Sequence, residues 1–525
     1  MSIYSHSKQF LAPTPDQKPS YTQSILSKTG IKIEAADPQA IRALVALMDY
    51  YAICGGAAGH WGGPAGFAEI FSAVHAYLFQ NPSIPWYQKA HLVNDAGHCE
   101  NGIYATRALY GYAGLKMEDL WGFRSLPSPL TGHGESHVNP EGVLISNGPL
   151  GSGLGQAQGL CFADKVLGND RVTLCLISDG ACMEGEAREA LASVPGLASK
   201  NQLNPFILIL SDNNTKLSGR IDSQSFSMQP TFNSLESQGW EVIKISEGNN
   251  LQSVYTGLEQ AWEMASSNPQ KPVLLWCKTI KGFGVKATVE SPSGGHGYPI
   301  KKNDPALAAF VNEIFNGQVP PQFASWTQTL VQKALDSQAK NQNKSQVAPQ
   351  KASEETQTAW SPKKEKIQVG VSKALIKAAT EEYPVFSITS DLPGSTGLSA
   401  FHKEFPQKVL DIGIAEANMV SLATGMAALG FIPVVDTFAQ FGITKGNLPL
   451  IMASLSGYPI IAIYSHTGFQ DAADGASHQA TTYLAATASI PEVRVLNLSS
   501  SKEAEIYIYD AIIQIHQERL AGKHP

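Results

Sequence analysis

Two polar side chains close two apolar runs about thirty residues apart. Val172 to Ile177 ends at Ser178-Asp179-Gly180, and Pro205 to Leu210 ends at Ser211-Asp212-Asn213-Asn214. A carboxylate and an amide oxygen brought side by side make half of a magnesium site. Magnesium takes hard oxygen ligands and often completes its octahedron with a ligand's phosphates. Gly180 lets the backbone approach a diphosphate, and the start of the following helix favours its charge. Taken singly, Asp-Gly and Asp-Asn-Asn are ordinary turns after strands. Their pairing is what points to a ligand, and it requires a particular scaffold. Strand, helix and strand at this length form a βαβ unit with parallel strands. Both polar ends then emerge at one sheet edge, where open α/β sheets bind ligands.

Other segments carry chemistry-bearing residues at irregular spacing. Cys54-Gly-Gly-Ala-Ala-Gly-His-Trp-Gly-Gly-Pro-Ala-Gly66 holds His60 among residues small enough for close backbone approach. Leu92-Val-Asn-Asp-Ala-Gly-His98 and Thr131-Gly-His133-Gly-Glu135 follow, then Gly148-Pro-Leu-Gly-Ser-Gly153 and Gly294-Gly-His296-Gly-Tyr-Pro. Further on come Gly413-Ile-Ala-Glu416, Asp436-Thr-Phe438-Ala-Gln-Phe441 and Ser465-His466, ending in Asp474-Gly-Ala-Ser-His478-Gln. Alone, each histidine is more often structural, and each glycine-rich stretch more often a turn.

Together these motifs resemble the transketolase family of thiamine-diphosphate (ThDP) enzymes. The resemblance implies ThDP with Mg²⁺ or Ca²⁺, the metal held by Asp179, Asn213 and the carbonyl of Thr215. It implies that Gly148, Leu150, Gly180 and Leu217 cradle the cofactor and that Phe438 and Phe441 clamp its aminopyrimidine ring. Glu416 falls on the glutamate that bonds the ring nitrogen. Glu184 and Glu189, five and ten residues after Asp179, fall on a carboxylate network linking two active sites. Their other reading is a solvated acidic first turn favoured by the helix dipole. His60, His98, His133, His296, His466 and His478 take the roles of histidines that orient hydroxyls and move protons. Ser395 and Asp474 take substrate-recognition roles.

The resemblance also implies the fold: two doubly wound, mostly parallel α/β domains, the first binding the diphosphate and the second the pyrimidine. Residues 1–35 read as a polar arm, 36–315 as the first domain and 316–366 as a linker with one helix near Trp326 to Leu335. Residues 367–525 read as the second domain, incomplete at its last strand. A homodimer is implied, with each site shared between subunits. A separate chain could supply the family's absent third domain.

Composition agrees with an enzyme of this type. The 525 residues are 43% hydrophobic and 16% charged, which argues for globular domains and against disorder. A net charge of −7 offers no basic field for nucleic acid. Six scattered cysteines form no CxxC pair and read as reduced. No apolar run is long enough to span a membrane, and the first residues carry no secretory pattern, so a cytoplasmic location is expected.

The departures are specific. Trp61 replaces a proline, Ser178 a glycine, and Ala415 and Asn418 stand where charged residues flank the family's glutamate. Thr444 replaces a tyrosine. Lys366 to Lys373 contains no arginine where the family grips a substrate phosphate, and lysine lacks the bidentate fork. The leading expectation is transfer of a two-carbon ketol unit from a ketose to an aldose. Two others stand beside it. One is a related ThDP enzyme with a non-phosphorylated or 2-oxo-acid donor. The other is a catalytically silent or partner-dependent subunit.

Overall fold

A computed structural model of the chain describes residues 11–346, 365–428, 430–471 and 473–523. The first domain is built on five parallel strands: β3 (Ala90–Asn94), β4 (Val172–Ser178), β5 (Phe206–Asp212), β6 (Glu241–Ile245) and β7 (Val273–Lys278). Their order across the sheet is β3-β4-β5-β7-β6, all in parallel register. Every residue of β4 and β5 is buried. The reason is visible in alternation along the strands. Leu174, Leu176, Ile207 and Ile209 join one core, while Cys175, Ile177, Leu208 and Leu210 join another on the opposite face. Helices Pro38–Gly55 and Gly62–Leu78 cover the first face, and Ser152–Leu167 and Gly185–Ser199 the second. A sheet covered on both sides needs continuous apolar runs, which is what this sequence supplies.

The second domain carries β8 (Val385–Thr389), β9 (Val409–Asp411), β10 (Ile432–Phe438) and β11 (Ile461–Ser465) in the order β11-β10-β8-β9, again parallel. Helices Ile367–Thr380 and Ser501–Leu520 pack on one face through Val371, Leu375 and Ile508. Helix Glu416–Ala428 packs on the other through Met419 and Val420. The expected doubly wound architecture is therefore present twice.

Two expectations need correction. The arm over residues 1–35 is not loose where it is described. Residues Thr22–Leu26 (β1) and Lys32–Ala36 (β2) form an antiparallel hairpin. Ile25, Ala35 and Ala36 are buried beneath it. The side-chain amide of Gln252 satisfies both the N–H and the carbonyl of Leu26, at 2.8 Å each. Few apolar residues suffice here because the hairpin lies on an existing core. The linker helix is also longer than expected, Pro321–Gln346, and Phe323 and Leu330 anchor its first half in the first domain. The remainder of that linker, 347–364, lies outside the described residues.

The two domains face one another within a single chain, whereas the family resemblance implied that opposite halves of a site belong to different subunits. A buried ionic clamp joins them. Lys216, fully buried, donates from Nζ to Asp391 Oδ1 at 2.7 Å and Asp411 Oδ2 at 2.6 Å. The backbone N–H groups of Leu217 and Ser218 donate to the Asp391 carboxylate at 2.8 and 2.9 Å. Desolvated charges persist only when so fully bonded.

Candidate active site

The clamp closes a cavity of about 170 Å³ between the C-terminal edges of the two sheets. First-domain residues Asn213, Thr215, Gly180, Gly148, Leu150 and Leu217 line it. From the second domain come Ile414, Glu416, Phe438, Phe441, Asp474 and His478. His60, His98, His133 and His296 line it as well, so five of the six expected histidines converge there. His466 stands just behind, its ring centroid 4.4 Å from that of Phe438.

At the end formed by β4 and β5, Asp179 is buried directly beneath the lining. Its carboxylate accepts the N–H groups of Gly180 and Asn213 at 2.9 Å each, and that of Asn214. Burial and the neighbouring Asp212 charge push its carboxyl up to about 7. Asn213 Oδ1 is buried without a partner. A buried ionisable carboxylate, beside an orphaned amide oxygen and the Thr215 carbonyl, to which Lys281 Nζ also donates at 3.4 Å, suits a hard divalent cation. Among the described residues no three His, Cys, Asp or Glu side chains form a metal cage. A cation here would need ligand oxygens to complete its shell. Gly148 adopts φ 138°, and a Cβ on it would meet Ser477 Oγ at 2.3 Å, so this backbone borders the cavity as only glycine can.

At the opposite end Glu416 starts its helix, buried against Thr437. Its Oε1 accepts from Thr437 Oγ1 at 3.4 Å, while Oε2 has no partner. Phe438 ends β10 and Phe441 follows in the next short helix, their ring centroids 6.2 Å apart and nearly parallel. Glu184 lies beside Glu416. Burial and the Glu416 charge hold its carboxyl well above the ordinary range. Lys445 donates to Glu184 Oε2 at 2.8 Å and to the Leu150 carbonyl at 2.9 Å.

Fixed donors set the histidine tautomers. Arg124 Nη2 donates to His60 Nδ1 at 3.1 Å, so a neutral His60 carries its proton on Nε2. Lys281 Nζ donates to His296 Nδ1 at 2.9 Å, with the same consequence. His133 is opposite: its Nδ1–H donates to the Asp474 carbonyl at 2.7 Å, leaving Nε2 as an acceptor. Burial keeps these rings neutral, lowering His60 and His478 to about 3 and His98 and His296 well below their ordinary value. The cluster thus presents two N–H donors and one ring acceptor without net charge.

Besides Asp179 beneath it, three anticipated residues do not reach the cavity wall. Glu189 is exposed on helix Gly185–Ser199, because the helical turn that buries Ala187 and Ala190 turns it outward. Ser395 lies in the short turn Pro393–Thr396, where its carbonyl accepts from Gln368 Nε2 at 3.4 Å. His466 is the third.

Sequence reasoning missed Arg124, Lys216 and Lys281. Arg124 also donates from Nη2 to Asp474 Oδ1 at 2.9 Å. Burial lowers Lys281 to about 8, with Asp179 and Asp391 opposing that shift. The one available signal was a lysine between Ile280 and Gly282 directly after β7, at the ligand-binding edge.

Comparison with known proteins agrees with this division of labour. Residues 34–368 match the family described as "Transketolase, thiamine diphosphate binding domain", and residues 364–519 match "Transketolase, pyrimidine binding domain". Transketolase 1 of Escherichia coli is 29% identical over 491 residues, covering 83% of this chain and 70% of the relative. The Bacillus subtilis transketolase is 27% identical over 497 residues, covering 85% and 71%. Among solved structures, the transketolase of Campylobacter jejuni is 24% identical, covers 91% of this chain and 76% of its own, and has a TM-score of 0.45.

Proposed function

The chain belongs to the transketolase family, and from that premise we propose that it transfers a two-carbon ketol unit from a ketose to an aldose, using ThDP and Mg²⁺. One observation carries the reading. Two orphaned buried oxygens, Asn213 Oδ1 and Glu416 Oε2, belong to residues on opposite domains that line one cavity. They match a ligand with a metal-bound diphosphate at one end and a ring nitrogen at the other.

ThDP, when bound, supplies the nucleophilic carbon that breaks a carbon–carbon bond beside a ketone. The chain's residues do the rest. Asp179, Asn213 and the Thr215 carbonyl would hold the cation. Glu416 would share a proton with the ring nitrogen, and Phe438 and Phe441 would flank the ring. Leu150 and Leu217 would give the cofactor apolar support. His60 and His296 donate from Nε2 to a substrate carbonyl or hydroxyl oxygen, and His133 accepts a hydroxyl proton at Nε2. Asp474, already tied to Arg124, accepts a donor hydroxyl with its remaining capacity.

A second reading concerns the donor. The cavity's lysines are engaged: Lys216 with Asp391 and Asp411, Lys445 with Glu184, Lys281 with carbonyls and His296. Gln368, in the segment where an arginine would grip phosphate, bonds a backbone carbonyl. This supports a donor without a phosphate group. The test is product analysis with purified protein, ThDP and Mg²⁺, offering matched phosphorylated and free ketoses with an aldehyde acceptor. The reading predicts a ketose two carbons longer than the acceptor, formed faster from free donors. No such product from any donor would sink the proposed reaction.

A further inference from the structure

Lys445 stands on the cavity wall between the two domains. It follows helix Ala439–Thr444 of the second domain. Its Nζ donates to Glu184 Oε2 at 2.8 Å and to the Leu150 carbonyl at 2.9 Å, both in the first domain. The side chain is 18% exposed, so the ammonium has exchanged much of its water for these two acceptors. Glu184 thereby has a cation as its partner, where the family resemblance implies a second carboxylate, Glu189.

The cation meets a pair of acids. Glu184 and Glu416 are both buried, and their side chains lie within hydrogen-bond reach of one another. Two carboxyls can bond only when one of them carries a proton. Burial and the Glu416 charge raise the Glu184 carboxyl, and Lys445 opposes both. The remaining groups around the trio supply no charge to balance it. Thr437 offers Glu416 a hydroxyl. Tyr464 is a phenol that burial and the Glu416 charge keep protonated. Asp95 accepts the N–H groups of Gly151 and Leu154 at 3.0 and 3.1 Å. Among the described residues no other lysine or arginine is bonded to either glutamate. The same loop ties the acids to the cofactor cradle. A Cβ on Gly151 would meet Glu184 Cβ at 2.7 Å, so the backbone beside Leu150 packs directly on Glu184.

We propose that Lys445 is a positioning residue whose fixed positive charge holds the Glu184–Glu416 pair to one shared proton, while its second bond fixes the loop carrying Leu150 against that pair. The consequence for ThDP rests on the proposed function. Glu416 keeps a charged oxygen available to the ring nitrogen only while the pair holds a single proton. Without the ammonium the pair takes up its second proton at a higher pH, because a lost neighbouring cation favours the neutral carboxyl. Both acids are then neutral where the ring nitrogen needs a partner.

The pair can be read without cofactor. Infrared spectroscopy separates protonated carboxyls from carboxylates, and a pH titration of the cofactor-free protein follows both. Subtracting the same titration of each protein carrying Glu184→Gln cancels Asp95 and the surface acids. In Lys445→Met, uptake of the second proton should move up by at least about one pH unit, since an adjacent cation lowers a carboxyl by about 1–3. Lys445→Gln keeps a donor for the Leu150 carbonyl without the charge and should show the same rise, which also covers a failure of Lys445→Met to fold. Lys445→Arg should titrate close to the natural chain. Three results overturn the proposal. Uptake at one pH in all four proteins means Lys445 does not set the pair. Natural behaviour in Lys445→Gln means the hydrogen bond acts and not the charge. A rise in Lys445→Arg equal to that in Lys445→Met means packing, not charge, decides. A natural chain that binds no ThDP would sink the proposed function and leave these bands to decide the role of Lys445 on their own.

Discussion

The two sheets share one architecture and differ in completeness. In the first domain β4 and β5 are enclosed on both faces and both edges, and the backbone at their ends is bonded to the Asp179 carboxylate. In the second, β10 is enclosed but β11 is not, and the domain is fastened to the first through Lys216. A βαβ unit buried on all sides can hold a site by itself. A sheet with an open edge holds its half of the site only while the neighbouring domain grips it.

The largest break in that comparison should come at the clamp. Lys216→Met leaves Asp391 and Asp411 without their cation in a closed interface and should cost about 3–5 kcal/mol. Urea unfolding should then show the second domain melting separately. A single unchanged transition would mean the clamp does not couple the domains.

Core truncations measure the difference between the sheets themselves. Leu208→Ala in β5 should cost about 2–5 kcal/mol, as for a fully enclosed leucine. Ile463→Ala in β11 should cost about 1 kcal/mol, because the site is already half open. Equal losses would show that β11 is as well packed as β5.

Acid should weaken the interface between the domains. A histidine lowered to about 3 in the folded protein stays neutral while its unfolded counterpart, near 6.5, takes up a proton. The unfolded state then binds more protons, and stability falls as pH drops through the interval between these values. For His478 the loss from pH 7.5 to 5 is about 2 kcal/mol. His478→Asn should remove that share of the pH dependence of the unfolding midpoint. An unaltered pH profile would contradict the assignment of a buried neutral ring.

The smallest contrast is between two glutamates of one segment. Glu189→Gln should change stability by less than about 0.5 kcal/mol and leave cofactor affinity unchanged, since the side chain is exposed. Glu184→Gln, beside Glu416 and bonded to Lys445, should weaken ThDP binding measured by titration calorimetry.

Much of this was legible in the chain. The runs Val172–Ile177 and Pro205–Leu210 announce buried parallel strands because they lack alternation, and the polar residues ending them must share an edge. The convergence of His60, His98, His133, His296 and His478 was implied by the resemblance to the transketolase family. What spacing could not carry was pairing between distant segments. Lys216 finds Asp391 and Asp411 only after both domains fold, and Arg124 meets Asp474 across 350 positions. The hairpin β1–β2 was hidden for a related reason. Its few apolar residues are meaningful only against a core made elsewhere, and a polar surface strand looks like a tail.

The proposed function requires that Glu416 and the Asp179 end act on one bound ThDP. The most direct test is hydrogen–deuterium exchange at C2 of ThDP by NMR, with purified protein and Mg²⁺, for the natural chain and for Glu416→Gln. The expected result is exchange much faster than in free cofactor, collapsing in Glu416→Gln while the cofactor stays bound. Exchange no faster than in free ThDP, with binding established, would contradict it.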